Sequence, residues 1–247
     1  MLTVSEWAWL LAAGLFAGAQ NALAGGGSFI TLTALLLTGI DPRAANVTST
    51  VALFPSQALS GWAGRELVAD LPRLSFRALC TLAVAGGLVG AVLLLVTPGA
   101  FFARLVPWLV LFATGVFAWG SYVRKPGAAT PLSPAVSVAA AFAIAVYGGY
   151  FGGGIGFMLI AVLTSAGLAL RSAGATKNAL AGVINLGAVV VFLVSGEMHW
   201  AAAAALCAGS IAGGFGGVWA LKRVPERLLR GGVVVLGLLL TVGLFLR

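Results

Sequence analysis

Gln20–Thr33 reads QNALAGGGSFITLT, and Gly148–Ala161 reads GGYFGGGIGFMLIA. Each sets a cluster of glycines in the middle of a long apolar run. A glycine inside a helix costs about 0.5–1 kcal/mol relative to alanine, so adjacent glycines loosen the helix and bare its backbone. At membrane depth such backbone persists only where protein or a polar cavity covers it. The two stretches therefore predict two broken helices that face each other across a site, with the rest of the chain holding them there.

Composition places that site in a bilayer. Of 247 residues 61% are hydrophobic and 8% charged, with a mean hydropathy of +1.09. Apolar runs of membrane-helix length recur along nearly the whole chain. The net charge of +8 does not point to nucleic acid, because Lys and Arg stand singly or in short groups between apolar runs, as loop charges do. Cys80 and Cys207 lie inside apolar spans and read as small packed hydrophobes, and two Cys with one His make no metal-ligand cluster. The start, MLTVSEWAWLL, has no Lys or Arg before its apolar run, so a retained first helix is expected rather than a cleaved signal peptide.

The expected spans are Trp7–Leu23 with Ser28–Thr38 as one broken helix, Arg43–Gly64, Leu74–Val96 and Phe101–Val123. A charged, proline-rich linker, Arg124–Pro134, separates them from Ala135–Phe151 with Gly156–Leu168 as a second broken helix, Arg171–Val194, Trp200–Leu221 and Leu228–Leu246. Trp7, Trp9, Trp62, Trp200 and Trp219 fall near span ends, and Trp108 and Trp119 nearer the ends of theirs than its middle, as an interfacial belt would have them.

The halves repeat. A shift of 128 aligns Gly25–Gln57 with Gly153–Asn185 without a gap, and Gly25, Gly26, Phe29, Gly39, Arg43, Ala45 and Thr48 meet identical residues. Nine of the fourteen Lys and Arg fall in three loops, around Arg65–Arg77, Arg124–Lys125 and Lys222–Arg230. The Arg-rich loop of one half aligns with the empty loop of the other, and the reverse holds for the second pair. Under the positive-inside rule a swapped asymmetry predicts copies of opposite orientation, an architecture that places transport sites at the repeat interface. An odd number of crossings per half is then needed, so each broken helix counts as a hairpin or as two crossings.

Few polar residues lie inside the spans, and each has two readings. Thr48, Ser49 and Thr50 open one helix and Thr176, Lys177 and Asn178 its copy; the hydroxyls can cap or back-bond, or they can line a cavity. Gln57 and Asn185 are aligned deeper in the same helices, as interhelical glue or as cavity lining. Asn21 precedes the first break, and Arg43 and Arg171 stand at the hairpin exits, where snorkelling is the bland alternative. All six acids sit at span ends or in loops, so a cation site or carboxylate proton relay has no carrier. What remains is backbone N–H at helix starts, hydroxyls, amides and basic side chains, a set suited to an anion.

The stretches AGAQNALAGGGSFITLTALLLTGIDPRAANVTST, GGYFGGGIGFMLI and RSAGATKNALAGVINLGAVVVFLVSGEMHW resemble the sulfite exporter TauE/SafE family of bacterial permeases over nearly the whole chain. The resemblance implies transport of small sulfur-containing or organic anions such as sulfite and sulfoacetate. The family often carries Thr-Asn-Lys after the first hairpin; this chain has Thr48-Ser49-Thr50 there, and Thr176-Lys177-Asn178 in the second copy.

The expectation is thus an all-α polytopic protein of the bacterial inner membrane. It has two inverted-topology repeats of about four spans, residues 1–125 and 126–247, the first helix of each broken at glycine. Its expected substrate-binding set is Asn21, Gly25, Gly26, Gly27, Arg43, Thr48, Ser49, Gln57, Gly152, Gly153, Gly154, Arg171, Thr176, Lys177, Asn178 and Asn185. No catalytic residue, metal or cofactor is expected, and the partners are a small anion and the lipid bilayer, with no nucleic acid. The oligomeric state is open. The alternatives are a carrier of a neutral or amphiphilic molecule and a membrane enzyme or scaffold acting on lipid.

Overall fold

A computed structural model describes residues 2–23, 26–71, 74–119, 122, 133–221 and 226–246. Gly25 and most of the linker, residues 124–132, lie outside the described residues. The described chain is helical, with no strand beyond an isolated bridge between Leu71 and Leu74. Its α-helices are α1 (Val4–Leu23), α2 (Gly27–Leu37), α3 (Pro42–Ala63), α4 (Phe76–Val96), α5 (Gly99–Ala118), α6 (Pro134–Tyr150), α7 (Ile155–Ser165), α8 (Leu170–Phe192), α9 (Trp200–Leu221) and α10 (Glu226–Phe245). Within them Phe76–Val96, Gly99–Val116 and Arg171–Phe192 are long and apolar enough to cross a membrane.

Local chemistry fixes the breaks. Gly26 and Gly154, at φ 85° and 80°, are the left-handed residues from which α2 and α7 start. A residue with a Cβ is strained in that region, which is why the apolar run carries glycine there. Asp41 then starts α3, accepting from the N–H groups of Arg43 (3.0 Å) and Ala44 (3.4 Å), with Pro42 in the first turn. At 11 residues each, α2 and α7 are about 16 Å long, half the thickness of a hydrocarbon core. Gly27 lies against Ala17 and Asn21, so α2 folds back along α1 as the short arm of a hairpin.

The two short helices obey the same 128-residue offset as the sequence: Gly27 and Leu37 bound α2, and Ile155 and Ser165 bound α7. The packing partners correspond as well. α1 lies along α9, with Gly14 on Leu206 and Gly18 on Ser210; α6 lies along α4, with Gly86 on Ala145 and Gly90 on Val146. At the centre α3 and α8 run antiparallel, Gly64 meeting Ala175, Gly61 meeting Ala179, and Gly182 lying beside Gln57 and Ala58. α5 pairs with α10 on the outside. Small residues carry these contacts because lipid supplies no hydrophobic drive between helices and close backbone approach must hold them. The bundle thus has an Arg43 end, where α3 starts and α8 finishes, and an Arg65 end, where α3 finishes and α8 starts.

One expectation fails here. Trp108 lies at the middle of α5, exposed and edge-on to Phe245, because α5 starts at Gly99 and stops at Ala118. It is no member of an end-of-span belt.

Candidate functional site

Between the two hairpin tips and the central helices lies a cavity of about 30 Å³, room for roughly two waters or one small ion. Asn21 from α1, Gly26 and Ser28 from the start of α2, and Gln57 and Ser60 from α3 form one side of it. Gly152, Ile155, Gly156, Lys177, Asn178 and Ala181 form the other. Ser28 and Gly156 are second residues of α2 and α7 and are related by the 128-residue offset, so two helix N-termini meet at one void. Each carries unpaired N–H groups and about half a positive charge.

Lys177 adds a full charge. It is 3% exposed, and among the described residues the one ion pair is Arg43–Glu197, so no carboxylate offsets it. A cation at such depth costs on the order of 3 kcal/mol or more unless something neutralises it.

The amides are already oriented. Asn21 Oδ1 accepts the Gly27 N–H at 2.8 Å, which leaves its buried Nδ2 without a partner. Gln57 Oε1 accepts from Asn185 Nδ2, which leaves the Gln57 NH2 as its free end. Of the three cavity amides, Asn21, Gln57 and Asn178, the first two have spent their acceptors on the protein. What they offer a ligand is donors.

The expected site residues divide. Asn21, Gly26, Gln57, Gly152, Lys177 and Asn178 come together on the cavity wall. Gly27 and Asn185 stand behind it, holding Asn21 and Gln57. The others lie elsewhere. Ser49, aligned with Lys177, hydrogen-bonds Thr31 (2.6 Å) in the core. Thr48 accepts from the His199 N–H at 3.1 Å and Thr176 from the Ala69 N–H at 3.2 Å. Each of these fully buried threonines therefore fastens a loop of the opposite half instead of facing the cavity. Gly153 sits against the rings of Phe151 and Phe29, and Gly154 against Ala113 on α5, where both serve packing. Arg43 pairs with Glu197 and donates to the Thr97 carbonyl at 3.0 Å, and Arg171 is exposed at the other end. Neither lines the cavity.

Sequence reasoning missed Ser28, Gly156 and Ser60. The first two could have been found as aligned positions directly after the breaks, and Ser60 as the residue one turn past Gln57.

Apolar helices enclosing a donor-rich, cation-bearing cavity between two glycine-broken hairpins make a membrane transporter. The chain belongs to the sulfite exporter TauE/SafE family, whose model matches residues 10–244. Among curated proteins it is 27% identical over 235 residues to a probable membrane transporter protein of Haemophilus influenzae, covering 94% of this chain and 91% of that one. It is 30% identical over 200 residues to the probable membrane transporter protein ORF9 of a Sinorhizobium species, covering 78% and 74%. It is 23% identical over 233 residues to the probable membrane transporter protein YfcA of Escherichia coli K12, covering 93% and 86%. No solved structure matches it.

Proposed function

We propose that the chain is an inner-membrane secondary transporter of small, fully deprotonated oxyanions such as sulfite or a short organosulfonate. Two inverted repeats work by alternating access around the central cavity. The observation that carries this reading is Lys177, buried without a carboxylate in a cavity whose amides present N–H groups. An anion would balance the ammonium, accept from Asn21 and Gln57, and sit at two helix N-termini. The opposite directions of α3 and α8 support the inversion. Arg65, Arg77 and Arg171 stand at the Arg65 end, which by the positive-inside rule supports a cytoplasmic position for it.

The test is sulfite uptake into proteoliposomes. Wild-type protein gives saturable flux, and Lys177→Gln abolishes it while the protein remains monodisperse. Equal flux in both would overturn the assignment.

One observation favours a second reading. A groove of about 530 Å³, lined by Phe54, Ala58, Val183 and Leu186 among others, shares Gln57 with the cavity. An organic anion with an apolar tail would put its head at Lys177 and its tail there. Competition of sulfite flux by alkylsulfonates of increasing length separates the readings, since inhibition that strengthens with each CH2 belongs to the second.

A further inference from the structure

Among the described residues, the fastenings between the two halves are not shared equally between the ends of the bundle. At the Arg43 end, Arg43 of the first half pairs with Glu197 of the second and donates to the Thr97 carbonyl. Asn46 Nδ2 donates to the Tyr150 carbonyl at 3.0 Å, the Tyr150 hydroxyl meets Thr97 Oγ1 at 3.4 Å, and the His199 N–H donates to Thr48. Every one of these except Arg43–Thr97 joins one half to the other. At the Arg65 end, the corresponding link among the described residues is the Ala69 N–H to Thr176. The sequence explains the imbalance. Ala69 and His199 are the matched latch donors, a spacing of 130 residues, so Leu67 stands where the second half has Glu197, and Gly174 stands where the first has Asn46. Among the described residues the Arg65 end has the threonine latch but no acid or amide at the matched positions, the acid Asp70 being taken up by the Phe76 N–H that starts α4.

We propose that Arg43 and Glu197 are gate residues of the transport cycle: their ion pair, with the Asn46–Tyr150 and Thr48–His199 links, holds the Arg43 end shut, so that the empty carrier opens at the Arg65 end. The inference rests on the alternating-access reading above, but its test uses no substrate. The pair is suited to a gate that must break and reform. Its side chains are about a quarter exposed, at 21% and 27%, so water can take over both charges when the halves part. A dry pair would bind the ends together at a far larger desolvation cost on opening. The pair biases which side the empty cavity faces; the gradient of the carried solute sets net direction.

The experiment places a single cysteine at Ser28, on the cavity wall, in a background with Cys80→Ala and Cys207→Ala, and labels it with an impermeant maleimide. Intact cells expose the periplasmic face and inside-out vesicles the cytoplasmic one. Ser28→Cys should label from the cytoplasmic face and resist labelling from outside. Glu197→Gln should raise the outside rate about fivefold, the population shift expected from losing a partly exposed pair. Reversing the pair, Arg43→Glu with Glu197→Arg, should restore protection, whereas either reversal alone should not. A merely structural ion pair would change stability without moving accessibility from one face to the other. If Glu197→Gln does not fold, Glu197→Asp, which keeps the charge on a shorter reach, must give a smaller shift of the same sign. An outside rate that is unchanged in these variants overturns the gate. Wild-type labelling from outside alone overturns the assigned resting state, and failure of sulfite flux with the labelling pattern intact overturns only the substrate.

Discussion

Replacing Asn21 by aspartate tests the charge logic of the cavity with almost no change of shape. The Asn21 carbonyl oxygen holds the Gly27 N–H at 2.8 Å, and an aspartate oxygen can do the same. A carboxylate at the start of α2 also suits the helix dipole, adding about 0.3–1 kcal/mol, so Asn21→Asp should melt at or above the wild-type temperature. The other oxygen replaces the unpartnered NH2 at the cavity wall. A bound oxyanion there would lose a donor and face a negative charge about 4 Å away. At an effective dielectric of 20 that repulsion is about 4 kcal/mol for each unit of charge on the anion, equivalent to a loss of affinity of at least about a thousandfold. Asn21→Ala separates the two effects: it abandons the buried Gly27 N–H at about 1–3 kcal/mol of stability but adds no repulsion. Isothermal titration with sulfite, beside a thermal melt of each variant, reads both quantities. A folded Asn21→Asp protein that binds sulfite as tightly as wild type would refute the anion site.

Three further outcomes are expected. Single cysteines at Ala69, Gly127 and Glu226, in a cysteine-free background, should resist an impermeant thiol reagent in intact cells; ready labelling of any one refutes the inverted arrangement. Gln57→Leu or Asn185→Leu alone strands a buried amide and should cost about 1–3 kcal/mol, with the double variant costing less than the two together in a denaturant-melt cycle; strict additivity would mean that the pair does not interact. Gly18→Leu should fail to give a monodisperse detergent peak, because even a Cβ there lies 2.0 Å from the Ser210 carbonyl oxygen on α9; a normal peak would overturn the α1–α9 contact.

What the sequence made legible was mostly local. Gly26 and Gly154 mark the breaks because a left-handed residue needs glycine, and the hydrophobic runs mark the helices because lipid demands them. Lys177 showed in the sequence as a basic residue at a helix start within a small, apolar stretch. The failures are long-range. Nothing near Arg43 in the chain indicates Glu197, which folding brings across 154 residues, so a hairpin-exit arginine read as site or interface. Thr48 and Thr176 read as either caps or cavity lining for the same reason: a helix-start hydroxyl does not reveal that a loop from the other half reaches it. Gly153 and Gly154 share composition with their cavity-lining neighbour Gly152, and only packing against Phe29 and Ala113 tells them apart.

The two halves differ most where the proposed work is done. The offset preserves what builds the scaffold: the left-handed glycines Gly26 and Gly154, the latches Thr48 and Thr176, and the lengths of α2 and α7. It is broken at the cavity, where Asn21 answers to Gly149 and Lys177 to Ser49, and at the gate, where Glu197 answers to Leu67 once the latch donors His199 and Ala69 are matched. A symmetric cavity would hold two lysines, and a small oxyanion cannot balance two ammoniums and two helix N-termini together. One lysine with two half-charges gives about two positive charges, the count that suits a dianion such as sulfite. Symmetric gates would leave the empty carrier facing either side equally, whereas one strengthened gate gives it a resting side. On the proposed alternating-access reading, duplication supplies two conformations of similar energy, and these few substitutions set what fills the cavity and where the carrier waits.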